Sequence, residues 1–216
     1  MKLSSPGGSV QTLVERRRNQ RGEGPRLRLE IIQAAMRLLD LSPAKELSLR
    51  LVAREAGVTP PAVYAHFADA NALMVEIVHE CWRHLADEMA RAARGADGAG
   101  AFASLRAQIG AYVHYAMDRP SRYRLLFAIY PLGPETTRYL PRPAEPVYLK
   151  VLEVMDRMQA EGHVLPTEDP HSATLLAISL THGRIALAQT TPDRPWNAPA
   201  KVEAFVLDIL GLLFKA

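Results

Sequence analysis

Between Ala56 and Val63 the chain ends one helix and begins another across a three-residue turn, and few arrangements of backbone satisfy both signals. Ser48 is a good N-cap for a short helix whose Leu49, Val52, Ala53 and Ala56 point inward, and Gly57 can close that helix in the left-handed conformation. Thr59 offers a hydroxyl to cap the next helix, with Pro60 at its first position, where a missing N–H costs nothing. Val58 is placed to plug the space between the two. The pattern predicts a helix-turn-helix, whose second helix can enter a major groove with its N-terminal turn leading.

Similar punctuation continues along the chain. Leu27, Ile31, Ala34, Ala35 and Leu38 recur at helical spacing from about Arg26 to Leu41, where Ser42-Pro43 stops the helix. Asp69 caps a long helix in which Leu73, Ile77, Cys81, Leu85 and Met89 repeat every four residues up to Gly95. After the flexible break Gly95–Gly100, helices are predicted near Ala101–Asp118, Ser121–Ile129, Ala144–Glu161, Pro170–Thr190 and Asn197–Phe214. The stretch Tyr130–Pro146 holds five prolines and reads as a long loop. No alternation of β-branched residues between turn signals competes, so the expected fold is all-α. Its organisation is a flexible basic arm over 1–25, a three-helix head over 26–72 and a larger helical body over 73–216.

Charge is distributed unevenly. Residues 1–28 carry seven Lys/Arg against two Glu, a net +5, so the remainder carries −2 of the chain's +3. A basic arm on a nearly neutral body is suited to a polyanion, although a solvated tail has the same composition. Cys81 is the single cysteine and sits in a helical pattern with no activating base, which reads as core filling. No signal-peptide pattern is read at the start, and the longest apolar run, Ala173–Leu180, is about half a membrane span. The expectation is a cytoplasmic protein without a membrane partner.

The run Leu51-Val52-Ala53-Arg54-Glu55-Ala56-Gly57-Val58-Thr59, followed by Val63-Tyr64-Ala65-His66-Phe67 and Leu73, resembles the head of the TetR family. That resemblance implies a dimeric DNA-binding regulator, most often a repressor, with a variable helical body that binds a small effector. It also implies DNA contacts by the second helix of the motif. Pro60-Pro61 and Ala65 replace residue types common in the family, so base reading falls to Thr59, Ala62, Tyr64, Ala65 and His66, with Pro60 also against the DNA. Alanine can meet a thymine methyl, while Tyr64 and His66 are better suited to phosphates, and His66 is equally suited to packing. Ser48 and Arg50, at the start of the preceding helix, are natural phosphate ligands, and Arg16, Arg17 and Arg18 can reach the duplex from the arm. Thr181-His182-Gly183 resembles a Trp-His-Gly motif of one class of TetR-family C-terminal domains, with Thr181 in place of tryptophan.

The body offers a second candidate site. Trp82, Tyr112, Tyr115, Met117, Tyr123, Phe127, Tyr148 and Met155, together with Tyr130 and His182, are expected to line a mostly apolar effector pocket with a few polar tips. Such rings also fill cores; their number favours the pocket. His79 and His84 are five apart and His163 and His171 flank a loop, so no histidine pair has metal-ligand spacing. Neither a metal nor a cofactor is expected, and with no clustered acid and base an enzyme is not expected either. Phe205, Val206, Ile209, Leu210, Leu212 and Leu213 make the last helix apolar over a broad face. This predicts a homodimer through the last two helices, on a palindromic double-stranded DNA operator.

Overall fold

The computed structural model describes residues 24–41, 47–127 and 144–214, and every regular element within them is helical. The first described helix, α1 (Gly24–Leu41), already holds Gly24 and Pro25, ahead of the apolar spacing. Its buried Ile31, Ala34, Ala35 and Leu39 share a core with α2 (Leu49–Ala56), α3 (Pro60–Tyr64) and the start of α4 (Ala70–Gly95). The Ser42-Pro43 stop lies outside the described residues. Ion pairs finish the head. Arg28 reaches Glu76 on α4 at 2.8 Å and lies over the Phe67 ring at 5.0 Å, while Arg37 reaches Glu55 on α2 at 2.8 Å. The mutual hydrogen bond raises the Arg28 guanidinium and lowers the Glu76 carboxyl from their ordinary pKa values.

α4 carries the chain out of the head. Asp69 caps it by accepting the Ala72 N–H at 2.8 Å, and its 26 residues span about 39 Å at 1.5 Å each. Leu73, Ile77, Cys81, Leu85 and Met89 form a buried column along it. Burial pushes the Cys81 thiol up to about 11, consistent with an inert core side chain.

The body packs on that column. α5 (Ala101–Asp118) lies along α4, and Gly100, at φ 88°, sets its start. The Glu161 carboxylate accepts the Ala101 N–H at 2.8 Å, serving a donor that α5 itself cannot satisfy. α6 (Pro120–Phe127) touches α1, α4 and α5, which makes it a bridge from body to head. α7 (Glu145–Ala160) packs on α4, α5 and α8 (Pro170–Thr190), and α9 (Pro199–Leu213) packs on α5 and α8. The predicted extension of α6 to Ile129 and most of the predicted loop, Tyr130 included, lie outside the described residues.

The last helix starts at Pro199 rather than Asn197, because Pro195–Asn197 forms a 3-10 turn. Buried Asn197 ties that turn to α8, donating to the Thr191 carbonyl at 2.8 Å and accepting from Arg184 at 3.0 Å. No described helix is long and apolar enough to cross a membrane.

Candidate nucleic-acid interface and aromatic cluster

The motif turn is fixed by hydrogen bonds at both ends of α2. Ser48 has extended backbone, and its Oγ accepts the Leu51 N–H at 3.2 Å. Its own hydroxyl proton stays available to a ligand. Gly57 is left-handed (φ 66°, ψ 33°); its N–H donates to the Arg54 carbonyl at 3.2 Å, and the Val58 N–H donates to the Ala53 carbonyl at 3.0 Å. This pair of bonds is a Schellman closure, which sets the direction of the chain leaving α2, and Val58 packs against the core beside it.

Thr59 departs from expectation. Its backbone is extended as at an N-cap, but its hydroxyl makes no capping bond. Pro61 removes one of the two donors such a hydroxyl would serve, and the other, the Ala62 N–H, bonds the Thr59 carbonyl at 3.0 Å.

Val63 and Phe67 are buried, so the opposite side of α3 faces out. There Thr59, Pro60, Ala65 and Tyr64 (53% exposed) are open, and Ser48 and Arg50 are exposed at the start of α2. Ala62 and His66 are half-buried. His66 lies beside the start of α1, its Cε1 3.9 Å from where a Cβ on Gly24 would stand. The arm residues Arg16, Arg17 and Arg18 lie outside the described residues.

The aromatic residues of the body do not all converge. Trp82 meets Phe127 edge-on at 5.5 Å, Phe127 lies on His182 at 3.8 Å, and Tyr123 meets both Phe127 and Tyr112. The hydroxyls of Tyr112 and Tyr123 are 3.2 Å apart, and that of Tyr123 is 2.8 Å from His182 Nδ1. Burial pushes the Tyr112 phenol up to about 12 and the Tyr123 phenol up as well, and it pushes His182 below its usual value. Tyr115 instead turns to α4 and donates to the Cys81 carbonyl at 3.2 Å, which gives it a structural bond. Tyr148 stands apart with His171, 2.6 Å from its Nδ1. Met155 is fully buried and Met117 half-buried.

Sequence reasoning missed the link between this cluster and the head. Arg122, next to Tyr123 on α6, is buried and forks onto both carboxylate oxygens of Asp40 near the end of α1, with Nε to Oδ1 at 2.7 Å. The partners are separated by 82 residues, so no local spacing signals the pair.

Comparison with known proteins agrees with this geometry. A family model described as bacterial regulatory proteins, tetR family, matches residues 31–77, and one described as tetracyclin repressor-like, C-terminal domain, matches residues 105–209. An uncharacterised HTH-type transcriptional regulator of Haemophilus influenzae is 32% identical over 100 residues, which is 46% of this chain and 48% of that protein. The chain thus spans about half the length of that curated relative. A Mesorhizobium loti structure assigned to the TetR family superposes with a TM-score of 0.71 at 18% identity, covering 92% of this chain and 100% of the other. PfmR, a TetR-family transcriptional regulator of Thermus thermophilus, gives 0.61 at 19% identity over 86% and 97%. These two likenesses concern the fold. With one family model on the head and another on the body, the chain belongs to the tetR family of bacterial regulatory proteins.

Proposed function

We propose that this regulator is a homodimeric, effector-controlled repressor that binds a palindromic operator through α3 and is released by a small, largely apolar molecule. The observation that carries the reading is the exposed surface of α3 and the start of α2 on a turn closed by the Gly57 bonds. Ser48, Arg50 and Tyr64 are the proposed phosphate contacts; Thr59, Pro60 and Ala65 are the proposed base-facing surface, with Ala62 and His66 at its edge. Arg16, Arg17 and Arg18 are proposed to add contacts from the arm, and the site of action is the cytoplasm.

The proposed effector site is the cluster of Trp82, Tyr112, Tyr123, Phe127 and His182. A molecule seated there would press on α6, and Arg122 would carry the displacement to Asp40 and α1. Dimerisation is assigned to α8 and α9, which leave Leu187, Phe205 and Leu212 exposed.

Selection of duplexes from a random library tests the DNA reading. The wild type should enrich one sequence. Ala65→Glu, which places a carboxylate on the proposed groove face, should enrich none while keeping the wild-type urea midpoint. Equal enrichment by both proteins would remove α3 from the interface.

A further inference from the structure

The proton positions in the aromatic cluster follow from counting donors and acceptors. Tyr112 is 1% exposed, and its hydroxyl has one partner among the described residues, the Tyr123 hydroxyl. Tyr123 is 2% exposed, and its hydroxyl has two, Tyr112 and His182 Nδ1. If His182 carried its proton on Nδ1 and donated to Tyr123, one of the two buried hydroxyl protons would be left without an acceptor. A buried donor without an acceptor is penalised by more than an ordinary hydrogen bond contributes. One arrangement serves every proton: Tyr112 donates to Tyr123, Tyr123 donates to Nδ1, and the imidazole proton sits on Nε2. The depressed pKa of His182 agrees with a neutral ring.

Nε2 has no partner among the described residues and is not sealed from solvent. Its N–H therefore opens beside the Phe127 ring, which is 41% exposed and lies 3.8 Å from the imidazole.

We propose that His182 is the polar contact of this cluster, held by Tyr112 and Tyr123 as the Nε2–H tautomer. It selects apolar ring compounds bearing a hydrogen-bond acceptor oxygen over their hydrocarbon and ammonium analogues. The selection rests on the proposal that this cluster is the effector site; the tautomer does not. Two neutral phenols and a neutral imidazole leave no formal charge here for an ammonium group, and the outward N–H repels one.

Two measurements on the full-length protein separate these claims. Ring-nitrogen NMR of histidine-labelled protein, assigned by the signals missing from His182→Phe, should show Nε2 protonated and Nδ1 bare. In Tyr123→Phe the signature should shift toward a mixture of tautomers. A protonated Nδ1 in the wild type would overturn the proposal. Quenching of Trp82, read in a Trp196→Phe background, should then rank three probes of one shape: acetylnaphthalene, isopropylnaphthalene and naphthylethylamine. The ketone should bind roughly tenfold more tightly than the hydrocarbon, the size of one hydrogen bond, and the amine most weakly. His182→Phe should erase the ketone's advantage, and His182→Gln, which keeps an amide N–H, should restore part of it. Equal affinities or a preference for the amine would overturn the selection while leaving the cluster as a site. Failure of all three probes to quench, with the tautomer as stated, would overturn the cluster as the site and the selection with it.

Discussion

A left-handed backbone at Gly57, with nothing within 4 Å of where a Cβ would stand, means that Gly57→Ala is penalised by conformation alone. The expected loss is about 1–2 kcal/mol, read as a lower urea midpoint at unchanged slope. Ser48→Ala should cost about 1 kcal/mol through the lost cap, whereas exposed Tyr64→Ala should leave stability near wild type. On DNA, Tyr64→Ala should weaken binding by a similar factor across operator variants, because phosphate contacts carry no base identity. A changed preference at one base pair would move Tyr64 to a base edge. His182 adds a pH signature. Burial lowers its folded pKa below the ordinary 6.5, so below pH 6.5 the unfolded chain holds more of this proton and stability falls with falling pH. His182→Gln should remove that component, which denaturation curves between pH 7 and about 5 would reveal. The local chemistry at Gly57 and Ser48 was legible because caps and turns are written within a few residues. The Thr59 hydroxyl was misread: the donor missing at Pro61 and the Ala62 N–H turned to the Thr59 carbonyl outweighed the N-cap preference of threonine.

Among the helices, α6 has the largest consequence for its eight residues. It presents Tyr123 and Phe127 to the aromatic cluster and Arg122 to Asp40 of α1. The Arg122 side chain is 11% exposed and that of Asp40 38%, so the pair is only partly desolvated. Asp40→Ala would leave a nearly buried guanidinium unpaired and should cost about 1–3 kcal/mol, less than a fully buried pair because water reaches the carboxylate side. The milder Asp40→Asn keeps a hydrogen-bond acceptor and removes the charge. If α6 transmits effector binding to the head, Asp40→Asn should retain operator affinity, while the ratio of effector affinities for free and DNA-bound protein moves toward one. An unchanged ratio would place the coupling elsewhere, along α4. The helices themselves were largely legible, since apolar residues at every third or fourth position mark them and Ser48 and Asp69 cap the starts of α2 and α4. Their pairing was not: Arg122 with Asp40, and the bond from Tyr123 to a His182 that the sequence had only grouped with it, depend on which helices meet in the folded chain, and period alone does not encode that. The same limit separated Tyr148, which the sequence placed with the other rings and the fold pairs with His171.

At the scale of the molecule, charge and symmetry decide how the protein would meet DNA. From Leu29 to Ala68 the positive Arg37, Lys45, Arg50 and Arg54 are matched by Glu30, Asp40, Glu46 and Glu55. A neutral head has to rely on hydrogen bonds and oriented donors unless the arm contributes. Each phosphate neutralised steepens the slope of log K against log salt by about 0.9, so deleting Met1–Gly24 should flatten it by roughly two to four per dimer. Dimerisation and the response of Trp82 fluorescence to acetylnaphthalene should be unaffected. An unchanged slope would make the arm a passive tail. Footprinting the selected duplex while counting protomers by analytical ultracentrifugation tests whether two chains present two α3 surfaces to a symmetric operator. The protected site should be two-fold symmetric and hold an even number of chains, with half-sites about one helical turn apart or a multiple of it. Tight protection of a single half-site by one chain would contradict it.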